Sequence, residues 1–264
     1  MREQLKAKTL DFMCGSPHSK IMKLTIIGSW GAYPGDGGAT SGYLLQADGY
    51  NVLLDCGSGI LSKLPRYLNI NDLHSVVISH FHPDHVADAG VLKHAVIVQK
   101  ALENRREKLL FYAPKVEPWF SELTHDGSTE GRPYSEDENY RIGPFVFTFK
   151  RAIHPVPAYS MRVECSGSSL GYTGDTSWSD NLSDFFGGVD LLLAEASLFN
   201  RFKGKVPGHM TSVEAAELAS NASVKRLVVP HFPQFGKSEG LKQEAEGHFP
   251  GPVDLAIEGN AWEF

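Results

Sequence analysis

Four candidate metal ligands fall within residues 80–85 of this chain, whose sequence is His-Phe-His-Pro-Asp-His. His80 and His82 are two positions apart, so in an extended backbone their side chains point to the same side. Pro83 ends the extended segment and suits the first turn of a helix, which directs Asp84 and His85 away from the first pair. Ligands that diverge in this way suit two adjacent metal ions better than one, so the sequence predicts a dinuclear metal site.

The apolar residues 76–78 before this motif predict a β-strand. The ligands therefore follow the carboxyl end of a strand, where α/β sheets place their sites. A dinuclear site needs roughly seven protein ligands, with a carboxylate or a hydroxide bridging the ions. The missing ligands should follow other strands that end at the same edge. Three positions fit this expectation: His154, Asp175 and His231.

The remaining pattern predicts strands with interspersed helices in one domain. Asp48-Gly49 between two short apolar runs predicts a hairpin. Thr211 and Glu214 fit a capping box that starts a helix, and another helix is expected over Asp84–Lys100. Strands are predicted at residues 22–28, 42–47, 50–55, 76–78, 109–113, 145–152, 161–165, 170–173, 191–196, 226–229 and 253–257.

Three loops are expected to form the walls of the pocket, namely Trp30–Thr40, Asp126–Glu138 and Ser197–Pro207. The second of these is polar and rich in glycine, which predicts irregular and mobile backbone. Asp55 lies at the end of a predicted strand near the site. We expect its carboxylate to hold the ring of a metal-binding histidine.

Composition limits the classes of function. The net charge is −6 without a basic stripe, which disfavours a long nucleic acid as partner. No apolar run approaches the length of a membrane span, and we see no signal peptide. Three scattered cysteines fit a reducing cytoplasm without disulfides. Residues 1–21 have no clear period and are interpreted as an amino-terminal extension before a domain over 22–264. The sequence thus predicts a cytoplasmic protein without a membrane partner, and it leaves a homodimer open.

These motifs together resemble the metallo-β-lactamase superfamily, and the resemblance covers residues 22–264. It implies an α/β fold of the αββα type, a four-layer sandwich with the site at one edge between two sheets. It also implies two divalent metal ions, with zinc or manganese suited to a His/Asp set that needs no thiolate. By motif, the first ion binds His80, His82 and His154, the second binds Asp84, His85 and His231, and Asp175 bridges them.

The stretch after Asp175 resembles the phosphodiesterase branch of this superfamily, which includes ribonuclease Z and the cyclic phosphodiesterase of phosphonate breakdown. The matching segments are Leu-Ala-Glu-Ala-Ser at 193–197 and Gly-His-Met-Thr at 208–211. The resemblance implies that His209 faces the scissile phosphate, where it stabilises charge or protonates the leaving oxygen, and that Glu195 orients it. With Asp84, these two residues make up the predicted catalytic set.

The chain also departs from both relatives. Only 20 residues separate His154 from Asp175, which leaves no room there for the arm by which ribonuclease Z grips transfer RNA. The amino-terminal glycine-rich loop lacks the cysteines that hold an extra zinc in the phosphonate enzyme. The sequence therefore predicts a dinuclear phosphodiesterase for a small or cyclic phosphodiester, which a metal-bridging hydroxide attacks. The alternative is a lactonase or thioesterase, because lactonases share the histidine motif. Lactonases lack the Gly-His-Met-Thr segment, which favours the phosphodiesterase.

Overall fold

The computed structural model describes residues 21–136 and 138–264. These residues form two seven-stranded mixed sheets with flanking helices, which confirms the predicted four-layer αββα sandwich. The predicted extension lies almost wholly outside the described residues. No helix within the described ranges has the length and apolar character that crossing a membrane requires.

The first sheet has the spatial order β14-β1-β2-β3-β4-β5-β6. Its first three strands in the chain are antiparallel, and β3, β4, β5 and β6 are parallel. The strands are β1 (Lys23–Gly28), β2 (Gly42–Ala47), β3 (Tyr50–Leu54), β4 (Ser75–Val77), β5 (Leu109–Pro114), β6 (Thr129–Tyr134) and β14 (Ala261–Glu263).

The second sheet has the order β13-β12-β11-β10-β9-β8-β7. It begins as an antiparallel meander and continues with parallel strands from β10 to β13. The strands are β7 (Asn139–Ile142), β8 (Phe145–Arg151), β9 (Tyr159–Cys165), β10 (Ser168–Tyr172), β11 (Leu191–Leu193), β12 (Leu227–Val229) and β13 (Val253–Leu255).

The helices connect these strands and cover the sheets. The capping box predicted before α6 is present, since the side chains of Thr211 and Glu214 each bond to the backbone of the other. The helices are α1 (Ile60–Lys63), α2 (Pro83–Val86), α3 (Ala89–Ala101), α4 (Trp119–Glu122), α5 (Asp180–Phe185), α6 (Ser212–Asn221) and α7 (Ser238–Glu246). Short 3₁₀ helices occupy Leu64–Arg66, Ile70–Asp72 and Asn200–Phe202.

Strand alternation distributes the apolar residues between two cores. Along β2, Tyr43 and Leu45 join the core between the sheets, whereas Leu44 joins a second core beneath α1 and α3. The rings of Tyr43 and Tyr172 meet across the sheets, with centroids 5.2 Å apart. The second sheet adds alternate buried phenylalanines from β8, namely Phe145, Phe147 and Phe149.

Two predictions about the elements were wrong, and the elements β7, α5 and β14 were not predicted. Part of the predicted loop Asp126–Glu138 forms β6, which pairs in parallel with β5 at the edge of the first sheet. The single helix expected over Asp84–Lys100 is two helices, since the backbone turns at residues 87–88 between α2 and α3. The short strand β14 pairs with β1 and closes the other edge of the first sheet.

Candidate metal centre and active site

Three histidines from both sheets form the first ligand group. His80 and His82 follow β4 of the first sheet, and His154 follows β8 of the second. The Nδ1 atom of His82 lies 3.1 Å from His80 Nε2 and 3.0 Å from His154 Nε2. Asp175 Oδ2 lies 3.7 Å from His80 Nε2. These four side chains could hold one metal ion between them.

The second group uses the other oxygen of the same aspartate. Asp175 Oδ1 lies 3.2 Å from His85 Nε2 and 3.3 Å from His231 Nε2. Asp84 Oδ2 lies 3.6 Å from His85 Nε2 and 3.2 Å from His231 Nε2. The structure thus brings all seven sequence-predicted ligands together, in the two groups expected from the motif, with Asp175 between them. Their binding of metal stays a prediction.

The donor atoms fit metal ions better than hydrogen bonds. His85 Nε2 and Asp175 Oδ1 are buried and have no hydrogen-bond partner, although they face each other. Ligands about 2.1 Å from a tetrahedral zinc ion would lie about 3.4 Å apart, close to the separations in both groups. A buried polar atom without a partner is costly. A divalent cation would satisfy these atoms, so the residues present fit the group that the motif implies.

Several ligands are oriented through the ring nitrogen that faces away from the group. Asp55 Oδ2 lies 2.7 Å from His85 Nδ1, as expected from the sequence. The same carboxylate accepts hydrogen bonds from Ser79 N, Ser79 Oγ and Tyr172 Oη at 2.6, 2.8 and 2.6 Å. His154 Nδ1 lies 2.9 Å from the carbonyl oxygen of Gly208. Such partners fix the tautomer that leaves the other nitrogen free for a metal.

Gly208 must be glycine for two reasons. Its φ of +93° falls in the region that side chains rarely adopt, and a Cβ there would lie 2.7 Å from His154 Nδ1. The backbone can therefore approach the ring closely enough to accept its hydrogen bond only when no side chain is present.

The electrostatics of the first group favour metal-binding protonation states. Burial lowers the pKa of His80, His82 and His154, which keeps these imidazoles neutral. Burial opposes ionisation of Asp175, but the charges of His231 and its neighbours outweigh it and hold the pKa of this carboxyl well below its usual range. Neutral imidazole and ionised carboxylate are the forms that bind metal. In the second group, burial lowers the pKa of His85 and His231, but the charge of Asp175 and of the other carboxylates outweighs burial and raises both, so a proton competes there with a metal ion.

His209 lies beside the second group and is oriented by Glu195. Its Nδ1 atom is 3.2 Å from Glu195 Oε1. Burial lowers the pKa of His209, but the charge and hydrogen bond of Glu195 outweigh burial and raise the pKa to about 9. With Nδ1 engaged by the carboxylate, Nε2 is the ring nitrogen left for a ligand. The structure therefore pairs these two residues as the sequence predicted, while their catalytic roles stay a prediction.

Sequence analysis did not identify Ser197 as a site residue. Its Oγ atom lies 2.7 Å from His231 Nδ1 and 3.1 Å from His209 Nδ1, and its hydroxyl donates a hydrogen bond to Glu195. A hydroxyl group is not a typical ligand for these metals, so Ser197 was given no role, although it ends the segment 193–197 that resembles the family. The available signal was its spacing of two from Glu195, which places both side chains on one side of an extended segment.

A cavity of about 230 Å³ opens over the second ligand group. Its floor contains the predicted site residues His82, Asp84, Asp175, His209 and His231. Two of the three predicted wall loops contribute, through Gly31 and Ala32 and through Ser197, Leu198 and Val206. No described residue of 126–138 lines it, because that stretch forms the edge strand β6; the third wall is instead Pro233, Gln234 and Phe235.

Comparison with known proteins agrees with this architecture. The sequence profile of the β-lactamase superfamily domain matches residues 50–232. The chain is 39% identical to the "Probable metallo-hydrolase YhfI" of Bacillus subtilis over 92% of its length and 100% of the relative. The crystal structure of YhfI superposes with a TM-score of 0.89 at 37% identity, covering 93% of this chain and 100% of that one.

More distant relatives share the fold. The ribonuclease Z of Sulfolobus acidocaldarius is 27% identical over 87% of this chain and 94% of its own length. A structure described as a new diphosphatase from the PhnP family has a TM-score of 0.70 at 20% identity, covering 92% of this chain and 98% of that one. From the profile match and the similarity to YhfI, this chain belongs to the β-lactamase superfamily, with the His/Asp clusters typical of its metal sites.

Proposed function

We propose that this metallo-hydrolase of the β-lactamase superfamily is a phosphodiesterase that uses two divalent ions, zinc or manganese, on a small or cyclic phosphodiester. The observation that carries the proposal is the His209–Glu195 pair, in which His209 lies at the floor of the cavity and Glu195 is buried behind it. A histidine held in its protonated form beside a metal centre suits a reaction whose leaving oxygen needs a proton. The names of ribonuclease Z and the PhnP-family diphosphatase support phosphorus as the reacting centre.

The residues of the chain have distinct tasks in this reaction. When bound, the two ions would activate water and neutralise the charge of the phosphate oxygens. His209 donates its Nε2 proton to the leaving oxygen, and Glu195 keeps the ring protonated and aimed at the cavity. Asp84 is a metal ligand that also accepts a hydrogen bond of 2.8 Å from Ala32 N, which fixes one wall of the cavity.

The shape and charge of the cavity favour a small substrate. Among the described residues that line it there is no lysine or arginine, although a long polyanion needs such partners along its backbone. The walls are apolar instead, and Val206 and Phe235 at the mouth are 44% and 45% exposed. A single phosphodiester group with an apolar substituent fits these surroundings.

A lactonase or thioesterase on the same metals is the second candidate. The apolar walls would also accept an acyl chain, so the cavity alone does not separate the two reactions. Turnover of a diester against a lactone separates them. The leaving group of the diester then tests His209, because an alkoxide leaving phosphorus gains from a proton donor that p-nitrophenolate does not need.

The test compares wild type and His209→Ala, loaded with zinc or manganese, on bis-p-nitrophenyl phosphate, a methyl p-nitrobenzyl phosphate diester and an acyl lactone. We expect phosphodiester turnover, with a loss of about 10² to 10⁴ in kcat for His209→Ala on the alkyl-type diester. The loss on the nitrophenyl diester should be less than about tenfold, since its leaving group departs unprotonated. His82→Ala, which lacks a predicted ligand, is the blank.

Lactone turnover without diester turnover would reject the proposal and favour the acyl reaction. Equal losses on both diesters would reject the role of His209 as proton donor while leaving the phosphodiesterase itself in place.

A further inference from the structure

We propose that Ser197 is a positioning residue that ties the metal ligand His231 and the proton donor His209 to one carboxylate, Glu195. The metal-binding half of this inference stands on geometry alone, and the catalytic half rests on the proposed function. The hydroxyl of Ser197 contacts all three of these residues. It is the point at which the second ligand group and the predicted catalytic pair meet.

The direction of each hydrogen bond follows from counting protons. Ionised Glu195 can only accept, so the single proton of the Ser197 hydroxyl is donated to Glu195 Oε2. The lone pairs of Ser197 Oγ are then left to accept from His231 Nδ1 at 2.7 Å. Glu195 is itself held in place by Thr176 N, which donates to Oε1 at 2.9 Å.

This arrangement fixes the tautomer in which His231 would bind a metal ion. With its proton on Nδ1, the ring presents the lone pair of Nε2 to Asp84 and Asp175, 3.2 and 3.3 Å away, where a metal ion would bind. The side chain of His231 is only 5% exposed. Gly31 closes the ring from another side, since a Cβ at Gly31 would lie 2.4 Å from the same Nδ1 atom.

The other histidines of the centre are oriented differently. The Nδ1 atom of His85 contacts the carboxylate of Asp55 directly, and the Nδ1 atom of His154 contacts the carbonyl oxygen of Gly208. The partner of His231 is instead a neutral group, the hydroxyl of Ser197, and the direction of that hydroxyl depends on Glu195. The same hydroxyl lies 3.1 Å from His209 Nδ1, and the two imidazole rings stack at 5.6 Å with an angle of 24°. Loss of the hydroxyl should therefore affect one metal site and the proton donor together.

The experiment compares Ser197→Ala, Ser197→Thr and a control, Ser169→Ala. Ser169 Oγ also donates to a carboxylate, Asp190 Oδ2 at 3.0 Å, but at the start of β10, away from the site. Apo-proteins are titrated with zinc against a chromophoric chelator, and His154→Ala identifies the binding step that belongs to the other ligand group.

For Ser197→Ala we expect zinc affinity at the His231 step to fall about 10- to 100-fold, the range seen when such supporting partners are removed. The other step should stay within about threefold. Ser197→Thr, which keeps a hydroxyl, should restore the zinc affinity of the His231 step, and Ser169→Ala should behave as wild type at both steps.

Unchanged zinc affinity at the His231 step in Ser197→Ala would overturn the proposal. An equal loss at both steps, also not rescued by threonine, would show a general structural role and would overturn it as well. These readouts need no substrate, so they separate failure of this inference from failure of the proposed phosphodiesterase activity.

Discussion

Three residues at or beside the predicted metal centre have backbone conformations that L-residues rarely adopt. Ala32, Asp55 and His231 have φ values of +55°, +57° and +61°. Each of these conformations costs of order 1–3 kcal/mol. Each residue also makes a hydrogen bond that orients the centre: Ala32 to Asp84, Asp55 to His85 and His231 to Ser197. The unfavourable φ values therefore occur at the residues whose hydrogen bonds orient the predicted metal ligands.

The charge of Glu195 should set the pH dependence of catalysis. Because Glu195 raises the pKa of His209 to about 9, the imidazolium is present below that pH and is lost as the pH rises through it. In Glu195→Gln the carboxylate charge is gone, and the pKa should fall toward the ordinary histidine value of about 6.5. We expect the basic limb of kcat for an alkyl diester to move to lower pH by at least about one unit.

The measurement is kcat from pH 5 to 10 for wild type and Glu195→Gln, with Asp190→Asn as a control for removing a carboxylate far from the site. A basic limb that stays in place in Glu195→Gln would show that Glu195 does not control the proton donor.

At the scale of the elements, strand β6 connects the first sheet to the ligand loop. Its last residue, Tyr134, donates a hydrogen bond of 2.6 Å to the carbonyl oxygen of Ile78, two residues before the predicted ligand His80. The ring of Tyr134 stacks on Phe149 of the second sheet with centroids 3.6 Å apart. Through the side chain of Tyr134, the edge strand thus contacts both the loop that carries the predicted ligands and the opposing sheet.

Tyr134→Phe should keep the stacking and lose the hydrogen bond. We expect the free energy of unfolding to fall by about 1–2 kcal/mol, since the buried carbonyl of Ile78 loses this donor. Urea denaturation of the apo-protein measures this difference. Tyr140→Phe is the matched control, because Tyr140 is only half-buried and its hydroxyl accepts from Ser135 N. Equal stability of Tyr134→Phe and wild type would contradict a stabilising role of this hydrogen bond.

The elements that the sequence predicted well were those with a clear period and no interruption. The alternation in β8 and the capping box of α6 are local signals, and both are present. Strand β6 contains Gly131, Arg132 and Pro133, which break the strand pattern. Its edge position tolerates the proline because one side of the strand has no partner to bond.

At the scale of the molecule, the ligands belong to both sheets. His80, His82, Asp84 and His85 follow the first sheet, whereas His154, Asp175 and His231 follow the second. The first set could be predicted because its spacing lies within one short segment. The assignment of the distant ligands to the two groups needed the family resemblance. Ser197 ends a segment that resembles the family but was given no role, and residues 233–235 belong to no motif. The place of both at the site depends on how the two sheets pack.

Metal removal should therefore loosen the contact between the sheets. If each ion is present at a hundred times its Kd, two sites stabilise the fold by about 5 kcal/mol. For a domain of this size that corresponds to a decrease in Tm of about 10 °C or more on chelation. Calorimetry with and without EDTA, followed by zinc addition, measures the change. His154→Ala should respond less to EDTA, and an unchanged Tm in wild type would argue against metal ions linking the sheets.

The division of the predicted ligands between the sheets also has a consequence for dividing the chain into two fragments. A cut between β6 and β7 would leave four ligands on one fragment and three on the other, so neither piece would carry a whole centre. The final strand β14 would remain on the second fragment while pairing with β1 of the first. The molecule therefore has the layout of a split reporter, in which the proposed metal-dependent activity would arise only from fragment complementation.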